Sequence, residues 1–282
     1  MNHLLFVFRT IHYASEKESM EGMYLVLAIF ITGLIIITYN YWHTPRFGSI
    51  SKKTKRMIPK ILSEQSLYYK SLNEEEKILF AKRVVKFLRD KKFDCSENFE
   101  LNDDIKVTIA ATAVQITFGY KHEYDYKSVN KVYILPKDFT SNSTHKLSKG
   151  ETGHRGEFCY VALSWESFKD GIRDSNDGIN VGLHEFAHAL FINNIEGNTA
   201  YEFISKIKDW HNEVTNIANE QQTHDFFRKY AFVNQMEFFA VSIEYFFENP
   251  QGFIQHIPEL YSLLTVMLSQ DPLKPNNGII RN

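Results

Sequence analysis

The feature that most restricts the folding of this chain is a run of apolar residues with two histidines set four apart, Val181-Gly182-Leu183-His184-Glu185-Phe186-Ala187-His188-Ala189-Leu190. On an α-helix such positions lie about 40° apart around the axis and one turn along it. His184 and His188 are therefore expected to point two imidazoles at one metal ion. Glu185 stands beside the first of them, placed to reach a water on the metal rather than the metal itself. Two ligands plus a general base is the zincin arrangement.

The surroundings support a helix. Ile179, Leu183, Phe186, Ala187, Leu190 and Phe191 follow helical spacing and would bury one face, with the histidines flanking it. Asp174, Ser175, Asn176 and Asp177 are N-cap candidates, and Asn193 and Asn194 are candidates for the stop.

A zinc site that acts on substrate needs three protein ligands and one open position. The third histidine of a metzincin is excluded, because Phe191 and Asn194 occupy the glycine and histidine positions of that pattern. A gluzincin draws a glutamate from a later helix. Residues 230–247 are strongly apolar apart from Glu237, Ser242 and Glu244. A carboxylate among so many aromatic neighbours is costly to bury without a cation. Glu237 is the preferred third ligand and Glu244, seven residues on, the alternative. Asn234 with Glu237 also reads as an N-x-x-E capping box, in which Glu237 would merely satisfy the first helical turn.

Net charge is −2, so nothing argues for a nucleic-acid partner. The two cysteines, Cys95 and Cys159, form no C-x-x-C site and no disulfide framework, which fits a reducing compartment.

Residues 24–38 carry no charge, and with Met23 and residues 39–42 they approach the ~20 residues that a helix needs to cross a bilayer. Tyr39, Tyr41 and Trp42 fit an interfacial belt. Arg46, Lys52, Lys53, Lys55, Arg56 and Lys60 follow without an acid between them. The positive-inside rule then puts the large C-terminal part in the cytoplasm, anchored to the inner (cytoplasmic) membrane by a single pass. The expected organisation is a short N-terminal tail at 1–22, a transmembrane helix at 23–42, a basic linker at 43–58 and a zinc-peptidase domain at 59–282. Met20 and Met23 are alternative starts.

Within the domain, Asn73 and Asn102 are N-cap candidates for helices that run to Asp90 and towards Gly119, the latter a stop signal. Residues 131–135 form a β-rich run stopped by Pro136. Residues 138–157 are polar and glycine-bearing and read as a loop, with His145 and His154 facing solvent. Residues 158–164 are a second strand, chosen as the one that pairs with extended peptide substrate beside the metal helix; an internal core strand is its alternative. Residues 165–172 are a short helix, and 200–220 an amphipathic one with Trp210 and a surface His211.

Several of these stretches resemble the Mlc titration factor A family of zinc-dependent peptidases, whose core is similar to lethal-factor-type toxin proteases. The resemblance runs from about Tyr68 to Leu273. It rests chiefly on VALSWESFKDGIRDSNDGINVGLHEFAHAL and YAFVNQMEFFAVSIEYFFENP, with support from YYKSLNEEEKILFAKRVVKFLRDKKF and from PELYSLL and QDPL. It implies His184, His188 and Glu237 as zinc ligands, Glu185 as catalytic base, and Tyr230 as a hydroxyl donor to the reaction intermediate. It also implies that a protein regulator can be bound. The chain departs from the family pattern at Gly182, usually an apolar β-branched residue, at Phe191, usually an acid, and in the loop 193–198.

The chain is accordingly expected to be α+β and mainly helical, a zincin-like metallopeptidase domain with a small mixed sheet, preceded by one transmembrane helix. The expected function is zinc-dependent hydrolysis of peptide or protein substrate. The alternative is a zinc-containing regulatory protein that sequesters a partner without turnover.

Overall fold

The computed structural model describes residues 23–36, 50–122, 126–155, 158–195, 210 and 214–279. The chain divides into two compact units, Met1–Pro45 and Arg46–Asn282. In the first, residues 23–36 form helix α1, whose large apolar side chains are all exposed. Among the described residues no helix is long and apolar enough to cross a membrane. The rest of the expected span, 37–42, lies outside them, as do the tail at 1–22 and residues 43–49 of the basic linker, whereas residues 52–58 of that linker are helical.

The second unit is mainly helical with a small mixed sheet. Its elements are α2 (Lys52–Gln65), α3 (Leu67–Ser71), α4 (Glu74–Asp90), β1 (Lys92–Cys95), α5 (Asp103–Thr117), β2 (Val129–Leu135), the short hairpin β3 (Phe139–Thr140) and β4 (Leu147–Ser148), β5 (Gly150–Arg155), β6 (Phe158–Ser164), α6 (Trp165–Arg173) and α7 (Val181–Ile195). Then come α8 (Gln221–Phe226), the 3-10 turn η1 (Lys229–Val233), α9 (Gln235–Glu248), α10 (Pro250–His256), α11 (Pro258–Leu268) and η2 (Pro275–Gly278).

Helix starts follow local chemistry. The Oδ1 atoms of Asn73 and Asn102 accept from Glu76 N and Ile105 N at 2.9 and 3.0 Å, capping α4 and α5. Acids fill the first turn of both helices, where the macrodipole favours them. Helix α5 ends at Thr117, and its terminal carbonyls are met by a buried guanidinium. Arg83 donates to Phe118 O at 3.0 Å and to Tyr120 O at 2.7 Å. Gly119 follows because a Cβ there would fall 2.2 Å from Leu268 O at the end of α11. The glycine permits close approach of two chain segments as well as ending a helix.

The sheet order is β1-β2-β6-β5, with β1, β2 and β6 parallel and β5 antiparallel to β6. Val132 and Ile134 of β2 and Val161 and Leu163 of β6 are buried, alternating with more exposed positions such as Tyr133 and Tyr160. Two expectations are corrected here. Strand β6 is flanked on both sides, by β2 and β5, and so has no open edge for a substrate strand. The edge strand on that side of β6 is β5, built from the polar, glycine-bearing stretch read as loop.

Helix α7 is packed among α5, α6, α9, β5 and β6, and residues 181–191 are buried on every side. The expectation of one buried face is therefore too weak, for this helix has no solvent face in its first three turns. Phe186 meets Phe87 and Tyr126 with ring centroids 5.8 Å apart in each case. Side chains of that size each stabilise the core by about 1.5–3 kcal/mol relative to exposure. The N-cap is Asn180, whose Oδ1 accepts from Leu183 N at 3.0 Å. The upstream candidate Asp177 instead accepts from Ile179 N at 2.9 Å in a local turn. The helix also runs through Asn193 and Asn194 rather than stopping at them. Most of 200–220, His211 included, lies outside the described residues, while Trp210 is fully buried.

Candidate metal centre

Helices α7 and α9 carry the site between them. Asn234 caps α9, its Oδ1 accepting from Met236 N and Glu237 N at 2.9 Å each. The Glu237 side chain turns to α7 instead. Its Oε2 lies 3.0 Å from His184 Nε2 and 3.3 Å from His188 Nε2, and the two Nε2 atoms are 3.0 Å apart. Only half of the capping box is formed: the cap holds the Glu237 backbone amide, while the Glu237 carboxylate does not close back on the turn but faces the imidazoles.

These three groups are the cluster of potential metal ligands among the described residues, each one buried. Glu237 Oε2 forms no hydrogen bond of its own although it is buried. An orphaned oxygen facing two ring nitrogens is costly without a cation between them. The spacing suits one. Tetrahedral zinc with ligand bonds of about 2.0–2.1 Å sets its ligands about 3.3 Å apart.

Glu244, the alternative third ligand, does not face the cluster. Its Oε2 lies 3.0 Å from His184 Nδ1, on the far side of that ring, and also accepts from Arg228 Nη2. Its Oε1 accepts from Asn180 N at 2.8 Å. Arg228 is itself anchored to Gly178 O at 2.6 Å. A carboxylate beside Nδ1 favours the tautomer with its proton there, which leaves Nε2 free to serve as a metal ligand.

Electrostatics follow from this arrangement. Burial works against a charged His184, but the carboxylates of Glu244 and Glu237 outweigh it and raise the imidazole pKa to about 10. Burial would raise Glu237, but the two imidazoles beside it hold its carboxyl well below the usual range. Glu185 is buried, and desolvation lifts it above the ordinary carboxylate value despite the nearby His188 and His184.

Glu185 leaves the helix towards β5, where Thr152 Oγ1 lies 2.8 Å from its Oε2. Tyr230 sits in η1 and is half exposed, its ring centroid 6.0 Å from that of His184. Burial and the neighbouring Glu237 carboxylate push its hydroxyl up to about 12, so it remains a donor at neutral pH. All five residues singled out by sequence therefore gather at one place. Sequence reasoning missed Thr152, Asn180 and Arg228. Only Asn180 carried a signal, as a polar residue directly before an apolar helix.

The family profile described as glucose-regulated metallo-peptidase M90 matches residues 42–268. An uncharacterized protein of Synechocystis sp., slr2042, is 25% identical over 276 residues, covering 88% of this chain and 98% of its own. The Mlc titration factor A proteins of Escherichia coli O127:H6 and Shigella flexneri serotype 5b are each 26% identical over 221 residues, covering 72% of this chain and 82% of theirs. With its profile matched across most of its length, the chain belongs to the M90 family of metallo-peptidases.

Proposed function

We propose that the protein is a zinc-dependent peptidase of the gluzincin type. His184, His188 and Glu237 hold the metal, Glu185 is the general base, and Tyr230 donates to the developing oxyanion. The observation that carries this reading is the convergence of His184 Nε2, His188 Nε2 and Glu237 Oε2 within about one ligand spacing, with Glu185 one residue from the first ligand. Zinc bound there supplies a Lewis acid that brings the pKa of water towards 7 and polarises a carbonyl. Glu185, its basicity raised by burial, takes the proton of the attacking water and returns it to the leaving amine. Tyr230 keeps its proton and points a hydroxyl to where negative charge develops.

The apolar segment at 23–42 anchors the enzyme in the inner membrane with the catalytic domain in the cytoplasm. In support, residues 23–36 are helical with uniformly exposed apolar side chains, and the basic stretch follows. A second reading, a zinc-containing protein that sequesters a regulator without turnover, is favoured by the name of the titration-factor relatives.

The test uses the full chain in detergent with a set of short quenched-fluorescent peptides. Wild type loaded with zinc cleaves, chelator stops it, and Glu185→Gln binds zinc with no turnover. A Glu185→Gln protein as active as wild type sinks the mechanism. Zinc binding with no turnover in wild type favours the second reading.

A further inference from the structure

We propose that Thr152 is a positioning residue for Glu185, and that strand β5 is the part of the fold that aims the general base. This rests on the reading of Glu185 as that base. The supporting geometry comes from two alternate positions of one strand. Gly150 and Thr152 lie on the same face of β5, and both meet Glu185. The Thr152 hydroxyl stands 2.8 Å from Glu185 Oε2 and 2.9 Å from Glu185 O. It has one proton to give, and a charged carboxylate is the stronger acceptor. Two residues back there is no side chain. A Cβ at Gly150 would fall 2.6 Å from Glu185 Cγ, Glu185 Oε1 and Val181 Cγ2 alike. The strand thus holds one carboxylate oxygen by a hydroxyl and makes room for the other by a glycine.

The opposite face of β5 shows that this is a division of labour along the strand. Glu151, between the two, turns away and accepts from Tyr160 Oη at 2.9 Å and from Asn142 N at 2.9 Å. Its neighbours therefore keep their orientation towards α7. The pairing of β5 with β6, from Gly150 with Leu163 to Arg155 with Phe158, fixes the height of Thr152 against the helix. A base left without this hold samples several rotamers, and misplacement of a reacting group by about 1 Å can cost on the order of 100-fold in rate.

The test compares Thr152→Val, Thr152→Ser and Gly150→Ala in the full chain loaded with zinc. Three readouts are taken: turnover of a short quenched-fluorescent peptide, zinc stoichiometry, and the crystallographic position of Glu185. Thr152→Val is expected to lower kcat about 10- to 100-fold with KM within about twofold. Zinc content is expected to stay at wild-type level, with the Glu185 carboxylate displaced. Thr152→Ser, which keeps the hydroxyl, is expected to restore kcat to within about threefold. Gly150→Ala is expected to displace Glu185 from the other side. Wild-type kcat in Thr152→Val with Glu185 unmoved overturns the proposal, as does equal loss in the Val and Ser variants. Should Glu185→Gln prove as active as wild type, the peptidase reading fails on its own. The Glu185 position in Thr152→Val then decides the present one, displacement supporting it and an unmoved carboxylate overturning it.

Discussion

His184 Nδ1 lies 3.0 Å from Oε2 of Glu244, a carboxylate only 1% exposed and seven residues beyond Glu237 on the same helix. One helix thus supplies a group to each side of the same imidazole: Glu237 beside Nε2 and Glu244 beside Nδ1. Arg228 and the amide of Asn180 hold Glu244 in turn. Outer partners of this kind typically contribute 10- to 100-fold in metal affinity. Glu244→Gln is therefore expected to weaken zinc binding by about tenfold or more while the helical signal is kept. Competition with a chromogenic chelator measures this, and wild-type affinity in the variant would make Glu244 a bystander.

Tyr230 is expected to act on rate and not on metal. Its hydroxyl is pushed up to about 12 by burial and by Glu237, so it stays protonated across the working pH range. Tyr230→Phe should lower kcat by about 10²-fold or more, as for loss of one oxyanion donor, with zinc content unchanged. Steady-state kinetics and metal analysis on the same sample separate the two effects.

Metal binding is also expected to stabilise the fold, because its ligands come from two helices that meet only in the folded state. At a zinc concentration 100 times Kd the gain is about 2.7 kcal/mol. For a domain of this size that raises Tm by roughly 5–10 °C. Thermal unfolding with excess chelator against excess zinc measures it. His188→Ala and Glu237→Ala should each abolish most of the difference.

The parts of this site that were legible in the sequence are those whose logic is local. His184, Glu185 and His188 are read from spacing on one helix, and Asn73 and Asn102 from capping chemistry. Glu237 stood out because a carboxylate among aromatics needs a reason. The remainder depends on contacts distant in the chain. Strand β5 reads as loop because Gly150, Gly153 and its polar residues have little strand propensity. Pairing with β6 and side-chain contact with Glu185 make it a strand. Arg228 lies 16 residues from its partner Glu244, and Asn180 lies 64 residues from it, so neither pairing leaves a periodic trace. Asp177 and Asn180 are equally good caps on paper, and only the packed geometry assigns the helix to the second. The solvent face expected of residues 181–191 is missing because α5, α6, α9 and the sheet pack around them, which no pattern within the helix reveals.

Glu248 should give the protein a distinctive pH dependence. Burial raises its pKa; a hydrogen bond from Asn180 opposes this, and the Glu244 charge reinforces it, leaving it at about 8. In the unfolded chain the same group ionises near 4.5. Folding therefore favours the protonated form. The stability it permits is fully present below about pH 4.5 and is lost progressively as pH rises towards about 8, a change on the order of a few kcal/mol. Glu248→Gln cannot ionise, so its stability relative to wild type should rise with pH across that window. Urea unfolding at pH 5, 6.5 and 8 tests the sign, and a constant difference would mean that Glu248 is charged in the folded protein.

Gly182 is one of three places where the sequence reading expects a departure from the pattern of the family it resembles, and the packing there supplies a cause. A Cβ at this second position of α7 would fall 2.4 Å from Phe168 Cε2 and 3.1 Å from Thr112 Cγ2. The Phe168 ring is fully buried and stacks on Trp165 at 5.5 Å between centroids. The volume that a β-branched residue would occupy is thus filled from α6. Gly182→Val is expected to destabilise by about 1–3 kcal/mol, as overpacking does, and to tilt the start of the metal helix. Phe168→Leu alone should also destabilise, by opening a cavity. The double variant should recover much of the loss, because the added methyl groups enter the space that the ring vacates. A double-mutant cycle from urea unfolding would then give a favourable coupling of about 1 kcal/mol or more. Strict additivity would mean that the two side chains do not compete for the same volume.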